Sequence, residues 1–186
     1  GSFERLIAPY GLRVTQAERR AINGGSYRLT VQHATATHRA DDTVEYVRLV
    51  EAGCEDWQTL SRFGWRVQEA IRQIHGALDA ENAARQTIDL YGASTKGNTL
   101  LQVVGLGPEQ IRQAIERSPE KVGRQTITGI PIVDEATARA DPAALWVAAI
   151  WQFREAVLRR EAAYLESGGA ILFPLPRVEI VQRGRG

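Results

Sequence analysis

Cysteine is nearly absent: Cys54 stands alone among 186 residues. One thiol closes no internal disulfide and completes no zinc cluster, so a disulfide scaffold and a four-cysteine metal site are both excluded, and no metal is expected in this chain. A reducing, cytoplasmic setting fits, with Cys54 as an inert buried or half-buried thiol. Lysine is almost as scarce, with only Lys96 and Lys121. An excess of one charge is also missing: 23 basic residues stand against 22 acidic ones, spread over both halves, for a net charge of +1. Nucleic acid needs concentrated phosphate neutralisation, and without a basic tail or stripe it is not an expected partner. Apolar runs such as Ala143–Ile150 are much too short to span a bilayer, so no membrane partner is expected either. No basic segment leads into an apolar one at the start, so no signal peptide is visible. Gly1-Ser2 reads as a cloning scar, in which case the native start is unseen; an excised piece and a naturally short protein both stay open.

What is present is an ordinary globular balance, with 44% hydrophobic and 24% charged residues. The length suits one domain with a real core and a small appendage. Phe3, Leu6 and Ile7 recur at helical spacing, and Pro9 to Gly11 ends that run. Leu12 to Val14 reads as a short strand, Gly24-Gly25 as a turn and Ser26 to Gln32 as another strand. This opening reads as the last pieces of something preceding it. Residues 41–81 read as helical, with Asp41 or Asp42 as a cap and an interruption at Gly53. Leu60, Phe63, Val67, Ile71, Ile74 and Leu78 hold one stripe of a long helix, expected to lie across a sheet face or another domain. Trp57 and Trp65 near its beginning read as packing residues.

Beyond residue 85 the pattern changes. Short apolar runs at Thr87–Tyr91, Ile111–Ile115, Ile130–Val133, Ala144–Ile150 and Ala170–Phe173 alternate with helical stretches, one of them Arg154–Leu165. Such alternation predicts an α/β fold: a Rossmann-like, mostly parallel sheet of four or five strands with helices on both faces. The domain division expected is 1–40 as a junction segment, 41–85 as linking helices and 86–186 as the Rossmann-like domain.

The segment from Tyr91 to Leu101 carries the chemistry. It follows a strand and opens a helix. Gly92 and Gly97 permit a tight turn and close approach of a phosphate, and a helix N-terminus offers free N–H groups to an anion. Ser94, Thr95 and Asn98 add polar groups, whose alternative role is helix capping, and Lys96 adds a charge. The spacing is neither G-x-G-x-x-G nor the triphosphate loop, which needs lysine where Asn98 stands. Glu116 closes the next strand segment, where an acidic side chain can hold a ribose hydroxyl, and Arg117 follows it. His33, His38 and His75 lack acidic partners at ligand spacing and read as structural or surface residues. No serine elbow, carboxylate pair or cysteine–histidine setting argues for a hydrolase.

Tyr91 to Leu101 resembles the signature of the C-terminal domain of S-adenosylmethionine-dependent sugar C-methyltransferases. Further pieces agree in order: Gly24-Gly25-Ser26-Tyr27-Arg28, Glu116 to Gly123, Gly129-Ile130-Pro131-Ile132, Trp151-Gln152-Phe153 and Gly168 to Pro176. The resemblance covers nearly the whole chain. It implies a larger enzyme, in which a zinc module and a methyltransferase domain holding S-adenosylmethionine precede this region. The region itself would help hold a nucleoside-diphosphate keto-deoxysugar, of the kind used in antibiotic or surface-polysaccharide biosynthesis. By that resemblance, segment 92–98, Glu116, Arg117 and Arg28 would meet the nucleotide sugar, the base would lie upstream of Phe3, and this chain alone would be inactive. Two positions depart from the family pattern: Asn23 replaces its histidine, and Gln152 its asparagine. The alternatives are a nucleotide-binding module without methyl transfer and a structural or assembly domain. The long helix leaves a homodimer open.

Overall fold

The computed structural model describes residues 1–54, 56–83 and 87–182. The expected domain start at residue 86 and residues 183–186 lie outside them. Two compact units divide the chain, Gly1–Arg66 and Val67–Gly186.

In the first unit a short helix α1 (Ser2–Ile7) and a 3₁₀ turn end at Gly11, whose φ of 67° needs a residue without a side chain. β1 (Leu12–Arg20) then pairs antiparallel with β2 (Ser26–His33). β1 is longer than Leu12–Val14 because pairing with β2 holds its polar second half extended, whereas a polar stretch carries little strand signal by itself. Asn23 sits at φ 54° in the connection. Asparagine enters that left-handed region more readily than most residues, a backbone reason for finding it here. α2 (Asp42–Ala52) is capped by Asp41, whose side chain accepts from the Thr43 N–H, and Val44 packs with Ile7, Val14 and Ala17.

Two expectations fail here. Cys54 is exposed rather than buried, because it falls in the turn just beyond the last residue of α2, past the packed face. Trp57 and Trp65 are 79% and 75% exposed, not packed. They lie on α3 (Trp57–Ala83), whose apolar stripe is buried at Ile74 and Leu78 but bare at Leu60 and Phe63.

The second unit is a six-stranded sheet with the order β5-β4-β3-β6-β7-β8. Its strands are β3 (Ile88–Tyr91), β4 (Gln113–Glu116), β5 (Ile132–Asp134), β6 (Leu145–Ala148), β7 (Ala170–Phe173) and β8 (Glu179–Gln182). The first five pair in parallel and β8 closes the edge antiparallel. β3, β6 and β7 are buried at every position, as a parallel sheet covered on both faces requires. On one face α4 (Thr95–Val104) and the end of α3 pack over Leu90, Ala114, Ile132 and Val147. On the other, α5 (Glu135–Ala140), α6 (Arg154–Arg160) and α7 (Ala162–Glu166) cover Tyr91, Trp146 and Ile171. The Rossmann-like expectation therefore holds. His75 fastens α3 to the end of α4 through the Val104 carbonyl at 2.8 Å, a structural role.

Two further differences have identifiable causes. β8 was not expected after the prolines, since only Val181 of its four residues is even partly buried, and an exposed edge strand leaves little hydrophobic pattern. The expected single helix Arg154–Leu165 is broken at Glu161, with φ −98° and ψ 22°. That break brings the Glu161 carboxylate inward, where it is 1% exposed and meets two arginines and a tyrosine.

Candidate functional site

Chain order reverses at β3: successive strands β4 and β5 build to one side, and β6 and β7 to the other. At such a switch point the connections leaving the carboxyl ends of the strands diverge and open a crevice, the usual ligand position in an open parallel sheet. A cleft of about 490 Å³ lies there, lined by the turn Tyr91–Ser94, by Ile115–Ser118 after β4 and by Lys121, Glu135, Ile150 and Arg160.

The glycine-rich turn is shaped by close approach. Gly92 has φ 92°, and a Cβ on it would stand 3.0 Å from the Ile150 side chain. A Cβ on Gly97 would stand 2.6 Å from the Ala149 Cβ, so only glycine lets the first turn of α4 press against the residue after β6. Ser94 is the N-cap: its Oγ accepts from the Gly97 N–H at 2.9 Å and donates to the Ala149 carbonyl at 2.9 Å. Asn98 accepts from the Ile127 N–H at 3.0 Å and ties the helix to the loop before β5.

Of the residues singled out by sequence, Gly92, Ser94, Glu116 and Arg117 line the cleft. Thr95 and Lys96 are exposed on the first turn of α4 and do not line it, while Gly97 and Asn98 sit behind the turn. Arg28 is on β2 in the other unit, opposite Glu18, with 3.9 Å between the charges.

Glu116 is the most heavily engaged group in the cleft. Its Oε1 accepts from the Arg117 and Ser118 N–H groups at 2.8 and 3.2 Å. Its Oε2 accepts from the Ala93 N–H at 3.3 Å and from the Lys121 ammonium at 3.1 Å. Lys121 also donates to the Ala93 carbonyl at 3.1 Å, so it clasps the β3 turn to the β4 loop. Burial alone would raise the Glu116 pKa, but the two N–H donors and Lys121 outweigh it and hold the carboxyl below its ordinary value. A group more acidic folded than unfolded stabilises the fold fully above its unfolded pKa, about 4.3 for glutamate, and loses that contribution as pH falls through the lower folded value. Acid titration of thermal unfolding is therefore expected to show wild type more stable than Glu116→Gln at neutral pH. The two curves should converge as the pH drops through the folded pKa; a gap independent of pH would refute this account.

The opposite wall holds groups that carry no local signal. Glu161 accepts from the Tyr91 hydroxyl at 2.7 Å and from Arg139 Nη2 at 2.9 Å on each oxygen. Arg160 binds both oxygens of Glu135, at 2.6 Å to Oε2, with its Nε 3.5 Å from Glu161. Burial, and then the bond to Glu161, push the Tyr91 phenol above its ordinary pKa, so it stays a neutral donor. Sequence reasoning missed Glu135 and Arg160, which line the cleft, and Glu161 buried behind them, because they come from helices with no motif of their own. Lys121 lies in the Glu116–Gly123 segment and is one of only two lysines, a signal that points to it without giving its place.

The model of the C-methyltransferase C-terminal domain family matches residues 21–176. The chain belongs to that family. This C-methyltransferase C-terminal domain is also 28% identical, over 188 aligned positions, to C-methyltransferase NovU of Streptomyces niveus. The match takes in 97% of this chain and 44% of that protein, so the chain spans less than half the length of this relative. No helix among the described residues is long and apolar enough to cross a membrane.

Proposed function

We propose that this chain is the nucleotide-sugar-binding part of a sugar C-methyltransferase that uses S-adenosylmethionine. One observation carries the reading: a switch-point cleft with an arginine, Arg117, that has no carboxylate partner among the described residues. A cation free of internal neutralisation is the group an incoming phosphate meets without first breaking an ion pair. The glycine-rich segment 92–98 forms one side of the ligand position, with Gly92 and Ser94 nearest and Thr95, Lys96 and Asn98 a turn further out. Glu116 and Arg117 form the other.

S-adenosylmethionine does not fit this cleft. Its reactive sulfonium is a cation, and the cleft carboxylates Glu116 and Glu135 are already engaged by Lys121 and Arg160, which leaves the charge of Arg117 uncompensated. The methyl donor, the zinc module and the base belong to preceding parts of the longer protein. Residues 1–40 are the end of that methyltransferase domain, 41–85 a link and 86–186 the nucleotide-sugar domain. In support, β1 and β2 form only a two-stranded sheet, packed by α1 and α2, which leaves Tyr27 on β2 and Tyr10 and Ile22 in the adjoining turns exposed.

Calorimetric titration with thymidine diphosphate tests the reading. Binding is expected, weakened about tenfold or more by Arg117→Ala through loss of a charge-assisted hydrogen bond, and changed less by Lys96→Ala. Absence of binding to the wild-type chain would sink the nucleotide reading.

A further inference from the structure

Arg160 and Glu135 form an ion pair in the cleft wall that fold maintenance alone does not require. Glu161, the deeply buried carboxylate nearby, is already satisfied by Arg139 on both oxygens and by Tyr91. Glu135 is only partly buried, and Arg139 stands 4.0 Å from it as well as serving Glu161. If Arg160 left Glu135, neither carboxylate would be without a cation. The Arg160 side chain is 37% and the Glu135 side chain 24% exposed, so the pair is partly solvated and its exchange costs less than the loss of a fully buried pair.

Of the cations lining the cleft, Lys121 is held by Glu116, whose carboxylate also accepts three backbone N–H groups, whereas Arg117 and Arg160 offer guanidinium groups that a phosphate can take. We propose that Arg160 is a binding residue held in reserve: in the empty cleft Glu135 holds its guanidinium, and an entering diphosphate takes it over by charge-assisted, forked hydrogen bonds. Glu135 thereby sets the affinity, since it competes with the ligand for the same cation. This rests on the nucleotide-sugar reading above and adds a second phosphate-binding cation and the competing carboxylate.

The test compares thymidine diphosphate with thymidine, by calorimetry, on wild type, Arg160→Gln, Arg160→Lys and Glu135→Gln. Arg160→Gln is expected to weaken the diphosphate about ten- to a hundredfold while leaving thymidine unchanged. Arg160→Lys should recover part of the loss, because a point charge replaces a fork. Glu135→Gln is expected to tighten the diphosphate severalfold and to steepen its dependence on salt. A diphosphate affinity indifferent to both positions, in a wild type that binds it, overturns the role of Arg160 and leaves the nucleotide reading standing. Equal loss of thymidine and diphosphate in Arg160→Gln assigns the residue to folding and also overturns the proposal. A wild type that binds neither ligand removes both readings together. Should Arg160→Gln fail to fold, Glu135→Gln decides alone: no tightening overturns the competition.

Discussion

Trp146→Ala is expected to lower the unfolding free energy of the sheet unit by about 3–5 kcal/mol, the usual cost of deleting a large buried aromatic side chain. Trp146 is 1% exposed in the middle of β6. Its ring is stacked between Tyr164, with centroids 3.7 Å apart, and Tyr91, at 5.2 Å, and the Arg139 guanidinium lies 5.7 Å from its centre. Alanine would leave a cavity under three helices and loosen Tyr91, the residue immediately before the glycine-rich turn. The indole Nε1 has no hydrogen-bond partner among the described residues, so Trp146→Phe removes an unsatisfied donor together with some volume and should cost clearly less. Urea unfolding followed by far-ultraviolet circular dichroism measures both, with Trp65→Ala as the control. Trp65 is exposed, and its replacement should stay within about 0.5 kcal/mol of wild type. Equal effects at the two tryptophans would contradict the placement of the core.

Asp89→Ala is the second large effect expected. Asp89 is fully buried in β3 and accepts from Arg112 at 3.0 and 2.9 Å and from Gln113 at 3.0 Å. Removing one partner of a buried pair typically costs about 3–5 kcal/mol, chiefly because the other charge is stranded. Arg112 is 31% exposed and also holds Asp141 at 2.5 Å, so the loss should fall at the low end of that range. The double variant Asp89→Leu with Arg112→Met should recover much of it, since no charge is then left unpaired. A single variant within 1 kcal/mol of wild type, on the scale of an exposed pair, would show that the bridge contributes no more than a surface contact.

These two residues show where the sequence could be read and where it could not. Trp146 lies inside an unbroken apolar run, so its strand and its burial follow from the run itself. Asp89 lies in an equally apolar stretch, yet nothing local says that its charge is buried, because Arg112 arrives from the loop before β4. The helix break at Glu161 was hidden for the same reason: Arg154–Leu165 is a good helical pattern, and only Arg139 of α5 and Tyr91 of β3, on the same face of the sheet, draw that carboxylate inward.

By itself, the sequence determined the alternation of short buried strands and helices. It therefore determined the parallel sheet, the turn at Gly92–Gly97 and, through ordered motifs, the family. Those features depend on neighbours along the chain, on periodicity and on glycine spacing, and each is local. The tertiary structure alone decided which side chains share the cleft. It put Lys96 outside and Lys121 inside, satisfied Glu116 from two loops, and brought Arg160 and Glu135 in from separate helices. The physical reason is that a switch-point crevice is assembled from the ends of strands distant in sequence, and charge pairing across it depends on distances that no local pattern encodes.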